Sequence, residues 1–193
     1  IQFNTPERLN GLTHAIKRDL IETITQAQMD NAVRVLVFTG SGRAFCAGMD
    51  LSAEGNVFGL DESVDPYGPN AHRIRDTGGE VTLRIYRMKK PVIGAINGVA
   101  VGVGATMTLP MDARILSDNA KIGFVFSKIG ISLESCASWF LPRLVGMETA
   151  LDWSLSGDIV GADDALARGF GRAVVPGEDL LEEARKLARR FTA

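Results

Sequence analysis

Two glycine-containing turns, about fifty residues apart, constrain this chain more than any other feature of its sequence. The first lies in residues 45–51 (FCAGMDL) and the second in residues 91–104 (PVIGAINGVAVGVG). Each segment passes from an extended apolar run through glycine to the expected start of a helix. Because the first N–H groups of a helix have no partner within it, two such turns can direct free backbone donors at one point. Paired donors of this kind stabilise an oxyanion.

Nucleotide-binding interpretations of these glycines fail on spacing. Residues 98–104 follow the pattern GxxxGxG, whereas the dinucleotide fingerprint is GxGxxG. Residues 40–42 (GSG) lack the Lys-Ser/Thr pair of a phosphate-binding loop. Asp118 follows at the distance of a ribose-binding acid, but the order of the glycines is still wrong. On the residues alone, glycine for close helix–strand packing remains an open alternative for the second turn.

Four segments in a fixed order resemble the crotonase (enoyl-CoA hydratase/isomerase) superfamily. The two glycine turns are counted together as one of these segments. The other three are residues 4–12 (NTPERLNGL), 138–146 (SWFLPRLVG) and 162–169 (ADDALARG). The resemblance covers essentially the whole chain and implies an α/β fold, a crotonase-like spiral of β-β-α units. The order of elements alone also fits a doubly wound sheet.

Composition sets the general class of the protein. With 193 residues and 46% hydrophobic content, the chain can bury one sizeable core, so we expect a single domain over residues 1–193. The net charge of −2 argues against a nucleic-acid surface. No apolar run reaches the ~20 residues that span a bilayer, and no His/Cys/Asp set has metal-ligand spacing. Cys46 and Cys136 are expected to be reduced thiols in a cytoplasmic protein.

The resemblance also implies features that extend beyond these residues. We expect the extreme N-terminus and the C-terminal helices of the full protein to lie outside residues 1–193. Family members usually assemble as homotrimers or dimers of trimers, and this assembly is expected here.

Hydrophobic periodicity and glycine or proline breaks predict the elements. Helices are expected at 13–29, 80–90, 102–111, 135–144, 147–155, 163–168 and 179–192. Strands are expected at 33–38, 91–96, 113–116, 121–126 and 172–175. Residues 53–79 are rich in glycine and proline and predict a long mobile loop of the kind that often binds ligands.

The resemblance implies specific roles for the two turns. The backbone N–H groups of Met49 and Val103, the latter preceded by Gly102, would form the oxyanion hole for a thioester carbonyl. Valine at 103 departs from the glycine that is usual in the family, but it keeps the backbone donor and can narrow the pocket.

The first turn also resembles the coenzyme A site of the family. The expected contacts with adenine and pantetheine are Met49, Asp50, Leu51 and Ser52. Arg8 is a candidate partner for a coenzyme A phosphate, with an exposed loop cation as the alternative. Coenzyme A would belong to the substrate, so no separate cofactor is expected.

Carboxylates decide the chemistry, and here the chain departs from the standard hydratase pattern. The positions of the two hydratase glutamates carry Thr106 and Phe126. One acid remains nearby, Glu134, and the resemblance implies that its position carries the single catalytic acid of several family branches, including two groups of enoyl-CoA isomerases and an aryl-CoA dehalogenase. The alternative is an acid placed in the first turn of a helix for its dipole. Loop acids Asp61, Glu62 and Asp65 could enter the site but are more simply read as solvated charges.

These features favour an acyl-CoA enzyme in which Glu134 moves a proton next to an enolate held by the two N–H groups. Double-bond isomerisation is favoured, because one base can carry a proton from C2 to C4. Hydration by another water-activating group and non-catalytic acyl-CoA binding remain alternatives.

Overall fold

The computed structural model describes residues 1–52, 63–65, 67–70 and 76–192. Within these ranges the strands are Gln2–Phe3 (β1), Leu36–Gly40 (β2), Ala44–Cys46 (β3), Val92–Ile96 (β4), Val99–Val101 (β5), Ala113–Ser117 (β6), Lys121–Gly123 (β7), Ile159–Gly161 (β8) and Ala173–Val175 (β9). The α-helices are His14–Met29 (α1), Thr77–Tyr86 (α2), Val103–Thr106 (α3), Ala137–Val145 (α4), Met147–Ser156 (α5), Ala162–Ala167 (α6) and Leu180–Thr192 (α7).

The strands form two sheets, and from β2 to β7 consecutive strands alternate between them. The first sheet has the order β1-β2-β4-β6-β9 and is parallel throughout. The second has the order β3-β5-β7-β8, with β8 antiparallel to β7. Each pair β2–β3, β4–β5 and β6–β7 therefore contributes one strand to each sheet before a helix follows. This is the predicted spiral of β-β-α units, and it excludes the doubly wound single sheet.

The longer elements agree with the hydrophobic pattern. Helix α1 begins where predicted, and the Thr13 hydroxyl accepts a hydrogen bond from the Ile16 N–H at 3.1 Å as an N-cap. Leu20 and Ile24 bury one face of this helix in the core. The five residues of β4 are all buried, as expected for a strand covered on both faces of a parallel sheet.

Several boundaries differ from the sequence expectation. The helix expected at 102–111 is only the short α3, after which the chain continues through turns to Met111. The strand expected at 121–126 ends at Gly123 and is followed by a 3₁₀ turn, Val125–Ile129. The strand expected at 33–38 is shifted to Leu36–Gly40. Helix α2 begins at Thr77, so the last three residues of the expected loop are helical.

The parallel pairing of β3 with β5 positions the site. The register places Ala44 opposite Val99 and Cys46 opposite Ala100. Because carboxyl ends of parallel strands meet at one sheet edge, both glycine turns leave the sheet on the same side. Within the described ranges, no helix combines the length and apolar character needed to cross a bilayer.

Candidate active site

The first turn follows β3 and is held by the segment around Leu12. The Leu12 N–H donates to the Gly48 carbonyl at 2.8 Å, and the Asp50 N–H donates to the Leu12 carbonyl at 3.0 Å. These two bonds form a parallel bridge opposite Met49. In such a bridge the N–H of the intervening residue points away from the partner. The Met49 N–H is therefore directed away from Leu12, and Met49 lines the cavity described below.

The second turn follows β5 and depends on glycine. Gly102 has φ 55° and ψ −126°, a backbone conformation that is open essentially only to glycine. It places Val103 at the first position of α3, where the N–H has no partner within the helix. A Cβ atom added to Gly102 would lie 3.8 Å from the Gly48 Cα, so the two turns approach each other closely.

A cavity of about 110 Å³ lies between the turns. Gly48, Met49, Gly102 and Val103 line it from one side. Its other lining side chains are mostly apolar: Leu51, Val101, Val125, Phe126, Ile129 and Ile131. Among the described lining residues, Glu134 is the one with an ionisable side chain. The cavity thus combines backbone donors, an apolar wall and one carboxyl group.

Glu134 lies before a helix, not in its first turn as the sequence suggested. Helix α4 begins at Ala137, whose N–H donates to the Glu134 carbonyl at 2.9 Å. Ser135 and Cys136 between them have φ values of 55° and 59° and turn the chain sharply. The helix dipole therefore does not account for the acid, because the dipole acts within the first turn.

The environment of Glu134 favours its neutral form. Burial, reinforced by a hydrogen bond and charge interaction with Asp76, raises the pKa of Glu134 to about 8, while hydroxyls of Ser135 and Thr106 act in the opposite direction. The Oε1 atom is buried and has no hydrogen-bond partner among the described residues. Such a carboxyl is a candidate general acid or base near neutral pH.

The positions of the two hydratase glutamates contribute no charge. Thr106 is fully buried, and Phe126 is buried and lines the cavity. The valine at 103 is also buried, with Cγ2 packed against Gly78 of α2. A Cβ atom at residue 78 would lie 2.8 Å from that methyl group, so the glycine accommodates the larger side chain.

The structure brings Arg8 to the first turn, where it pairs with an acid. Its Nη1 atom lies 3.0 Å from Asp50 Oδ2, and 59% of its side chain is exposed. Asp50 Oδ1 accepts hydrogen bonds from the Ser52 N–H at 3.0 Å and hydroxyl at 2.5 Å. These bonds, together with Arg8, lower the pKa of Asp50. Leu51 is 56% exposed beside the cavity.

The loop acids are separated from the site or lie outside the described residues. Asp65 is exposed, and its Oδ1 accepts a hydrogen bond from the Tyr67 N–H at 2.9 Å, as in an Asx turn. Asp61 and Glu62, and with them most of the loop expected at 53–79, fall outside the described residues.

Sequence reasoning missed the residues that surround Glu134. Asp76 caps α2 by accepting the Gly79 N–H at 2.6 Å, and Ser135 donates to the same carboxyl at 3.4 Å. An aspartate directly before a helix is an N-cap signal. The signal was hidden because the helix was expected to begin at residue 80 instead of 77. Cys46 is buried and Cys136 half-buried, and the two form no disulfide with each other.

The two sheets, the paired turns and the adjacent carboxyl group together define a crotonase-fold protein whose candidate site is the cavity beside the two turns. Comparison with known families agrees. The model of the family described as Enoyl-CoA hydratase/isomerase matches residues 1–193, and the chain belongs to that family.

Relatives carry both hydratase and isomerase names. The chain is 39% identical over 181 residues to enoyl-CoA hydratase ACTT3 of Alternaria alternata, covering 93% of this chain and 58% of that protein. It is 36% identical over 194 residues to 1,2-epoxyphenylacetyl-CoA isomerase of Escherichia coli K12, covering 99% and 71%. A solved structure of a monofunctional enoyl-CoA isomerase from M. smegmatis superposes with a TM-score of 0.77 at 30% identity, covering 100% and 78%. The chain thus spans less than two thirds of the first relative.

Proposed function

We propose that the protein isomerises the double bond of an enoyl-CoA thioester. The observation that supports this proposal is the single carboxyl group of Glu134 in a cavity that Met49 and Val103 also line. A hydratase of the standard pattern holds water between two acids, whereas here Thr106 and Phe126 occupy those positions. One acid suffices for isomerisation, because it can accept a proton from one carbon and return it to another.

The proposed reaction uses each group in a defined step. The thioester oxygen lies between the two backbone N–H groups, which stabilise the negative charge as the enolate forms. Ionised Glu134 removes a proton from C2 of a 3-enoyl chain, and the charge spreads through the double bond to C4. Glu134 then delivers the proton to C4, which gives the conjugated 2-enoyl thioester. A raised pKa makes Glu134 a stronger base than an ordinary carboxylate once it has ionised.

Coenzyme A recognition is assigned to the first turn. We propose that Met49, Asp50, Leu51 and Ser52 contact the adenine and pantetheine parts. Arg8 lies beside this turn with a mostly exposed guanidinium, so it can meet a phosphate at little cost while keeping its contact with Asp50. Coenzyme A enters as part of the substrate.

Hydration is the second candidate, because the first relative named above is an enoyl-CoA hydratase. In this case a group other than the missing glutamates would activate water. Non-catalytic acyl-CoA binding is the third.

The deciding experiment supplies the protein with a 3-enoyl-CoA and, separately, a trans-2-enoyl-CoA, and follows the absorbance of the conjugated thioester. An isomerase makes the absorbance rise with the first substrate, and a hydratase makes it fall with the second. Glu134→Gln keeps the size and hydrogen bonding of the side chain but removes the base. We expect this variant to lose about 10²–10⁴ in kcat.

Two results would contradict the proposal. Full activity of Glu134→Gln would place the base elsewhere. Binding of both thioesters, measured by titration calorimetry, without turnover of either would support the non-catalytic alternative. Glu178→Gln, a change at an exposed acid before α7, is the matched control and should retain activity.

Assembly and location complete the proposal. We propose a homotrimer or dimer of trimers, supported by large exposed apolar side chains on α4 and α5: Trp139, Met147, Leu151 and Leu155. We propose a cytoplasmic location, which is consistent with Cys46 and Cys136 being thiols that are not joined in a disulfide.

A further inference from the structure

One carboxyl group, that of Asp76, links two parts of the structure beside the candidate site. Asp76 caps α2, with Oδ1 accepting the Gly79 N–H at 2.6 Å. The same oxygen accepts a hydrogen bond from the Ser135 hydroxyl at 3.4 Å. Ser135 is buried and directly follows Glu134. Asp76 therefore fixes the first turn of α2 to the short segment that presents the acid.

The absence of a side chain at Gly78 allows this close approach. A Cβ atom added there would lie 1.9 Å from Ser135 Oγ and 2.7 Å from Glu134 Oε2. Real Cβ atoms essentially never make contacts below 3.0 Å, and here the neighbours belong to the turn before α4 and, through Val103, to α3. The Glu134 carboxyl thus packs directly against the backbone of the first turn of α2, next to the residue that caps it.

Two neighbouring carboxyl groups can hydrogen bond to each other only if one of them holds a proton. The surroundings of Asp76 and Glu134 indicate which of the two carboxyl groups holds that proton. Asp76 already accepts hydrogen bonds from the Gly79 N–H and the Ser135 hydroxyl, so its carboxyl group serves as an acceptor. Glu134 is largely buried, and its Oε1 atom has no partner among the described residues. When two neighbouring acids have different surroundings, their pKa values differ and the two groups can take different roles in a reaction.

The other groups that face Glu134 carry no charge. From α3 the neighbour is the Thr106 hydroxyl, and from its own segment it is the Ser135 hydroxyl. The 3₁₀ turn contributes Phe126 to the same cavity. Among the described residues, the charge that acts on Glu134 is that of Asp76.

We propose that Asp76 is a positioning residue that accepts a hydrogen bond from the protonated carboxyl group of Glu134 and thereby sets both the direction and the basicity of that acid. The inference rests on the proposed role of Glu134 in proton transfer. Asp76 does not touch the reacting carbons in this scheme. It acts through Glu134, which keeps its proton until the pH rises above neutrality and is then a stronger base than an isolated glutamate.

The test separates charge from helix capping. Asp76→Asn keeps a good N-cap but removes the negative charge, and Asp76→Ser does the same with a shorter side chain. The protein is labelled with ¹³C at glutamate carboxyls, and Glu134 is assigned by the signal that Glu134→Gln removes. We expect the apparent pKa of Glu134 to fall from about 8 by about one pH unit or more in both variants.

The kinetic readout uses the same variants. The acid limb of the pH profile of kcat/KM for a 3-enoyl-CoA should move to lower pH in parallel with the titration of Glu134. Asp163→Asn, which removes an exposed acid from the first turn of α6, is the matched control and should leave both curves unchanged.

The outcomes are distinguishable. An unchanged titration of Glu134 in Asp76→Asn and Asp76→Ser would overturn the inference and leave Asp76 as a helix cap alone. A shifted titration in a protein that turns over neither thioester would support the inference, because the titration needs no substrate, and would remove the proposed function. A shifted titration with an unshifted kinetic profile would overturn the link to catalysis.

Discussion

At the residue scale, the proposed oxyanion hole uses backbone atoms. We therefore expect activity to depend on whether a substitution keeps the N–H group and much less on which side chain it introduces. Met49→Ala keeps the N–H and should retain much of the activity. Met49→Pro removes the N–H that points away from Leu12, while the bridge bonds of Gly48 and Asp50 do not involve it. We expect kcat of Met49→Pro to fall by about 10²–10³ with a thioester substrate, as for the loss of one oxyanion donor.

Circular dichroism and urea unfolding of both variants serve as the folding control. An equal loss of activity in the two folded variants would show that the methionine side chain, not its N–H, is what the reaction needs.

From the sequence, a site residue could be predicted where its proposed role depends on the backbone of a short local segment, such as a glycine turn. Met49 and Val103 were predicted from their glycine turns as oxyanion donors; their role stays a prediction, and the structure places both beside one cavity with Glu134. The contact of Glu134 with Asp76 could not be predicted in this way. It joins residues far apart in the chain. It also depends on the start of α2 at Thr77, which was predicted as loop because of the glycines at 78 and 79.

At the scale of elements, the connection between β5 and α3 depends on one backbone conformation. Gly102→Ala should destabilise the protein by about 1–3 kcal/mol, because alanine is strained at φ 55° and ψ −126°. Gly161→Ala is the matched control. That glycine has φ −75° and open space where a Cβ would lie, so its replacement should change stability by less than about 0.5 kcal/mol, because the lower entropy of the unfolded chain is offset by the poorer N-cap that alanine makes for α6.

Urea unfolding measures both changes. Equal destabilisation by the two substitutions would mean that the β5–α3 connection relaxes to accept a side chain and is not a fixed device for placing the Val103 N–H.

Long and short elements differed in how well they could be predicted. Helix α1 was predicted from its periodicity and cap, whereas β5 and β8, with three residues each, are too short to show a period of two. The 3₁₀ turn after β7 was hidden because Val125 and Phe126 continue the apolar run of the strand. Tertiary contacts, not local pattern, decide where such segments stop.

At the scale of the whole molecule, Glu134 couples the site to global stability. Its pKa is about 8 in the folded protein against an ordinary value of 4.5, so the folded state holds a proton that the unfolded state releases between these values. The free energy of unfolding should therefore decrease as pH rises from about 4.5 to 8, by up to about 1.4 kcal/mol per pH unit from this group.

The glutamine in Glu134→Gln cannot ionise, so the variant does not lose this stability as the pH rises. The free energy of unfolding of the variant minus that of the natural protein should therefore increase from pH 5 to pH 8. Urea unfolding at several pH values in this window checks the difference. A difference that stays constant with pH would show that Glu134 titrates alike in the folded and unfolded chain.

The alternation of strands between two sheets also has a consequence for synthesis of the chain on the ribosome. The Met49 turn follows β3, the Val103 turn follows β5, and Glu134 comes only after β7. A nascent chain that has emerged from the ribosome up to residue 52 has one proposed donor. A chain that has emerged up to residue 103 has both donors but still lacks the acid. The protein therefore emerges without the complete proposed site and gains it only after three successive turns of the spiral have stacked.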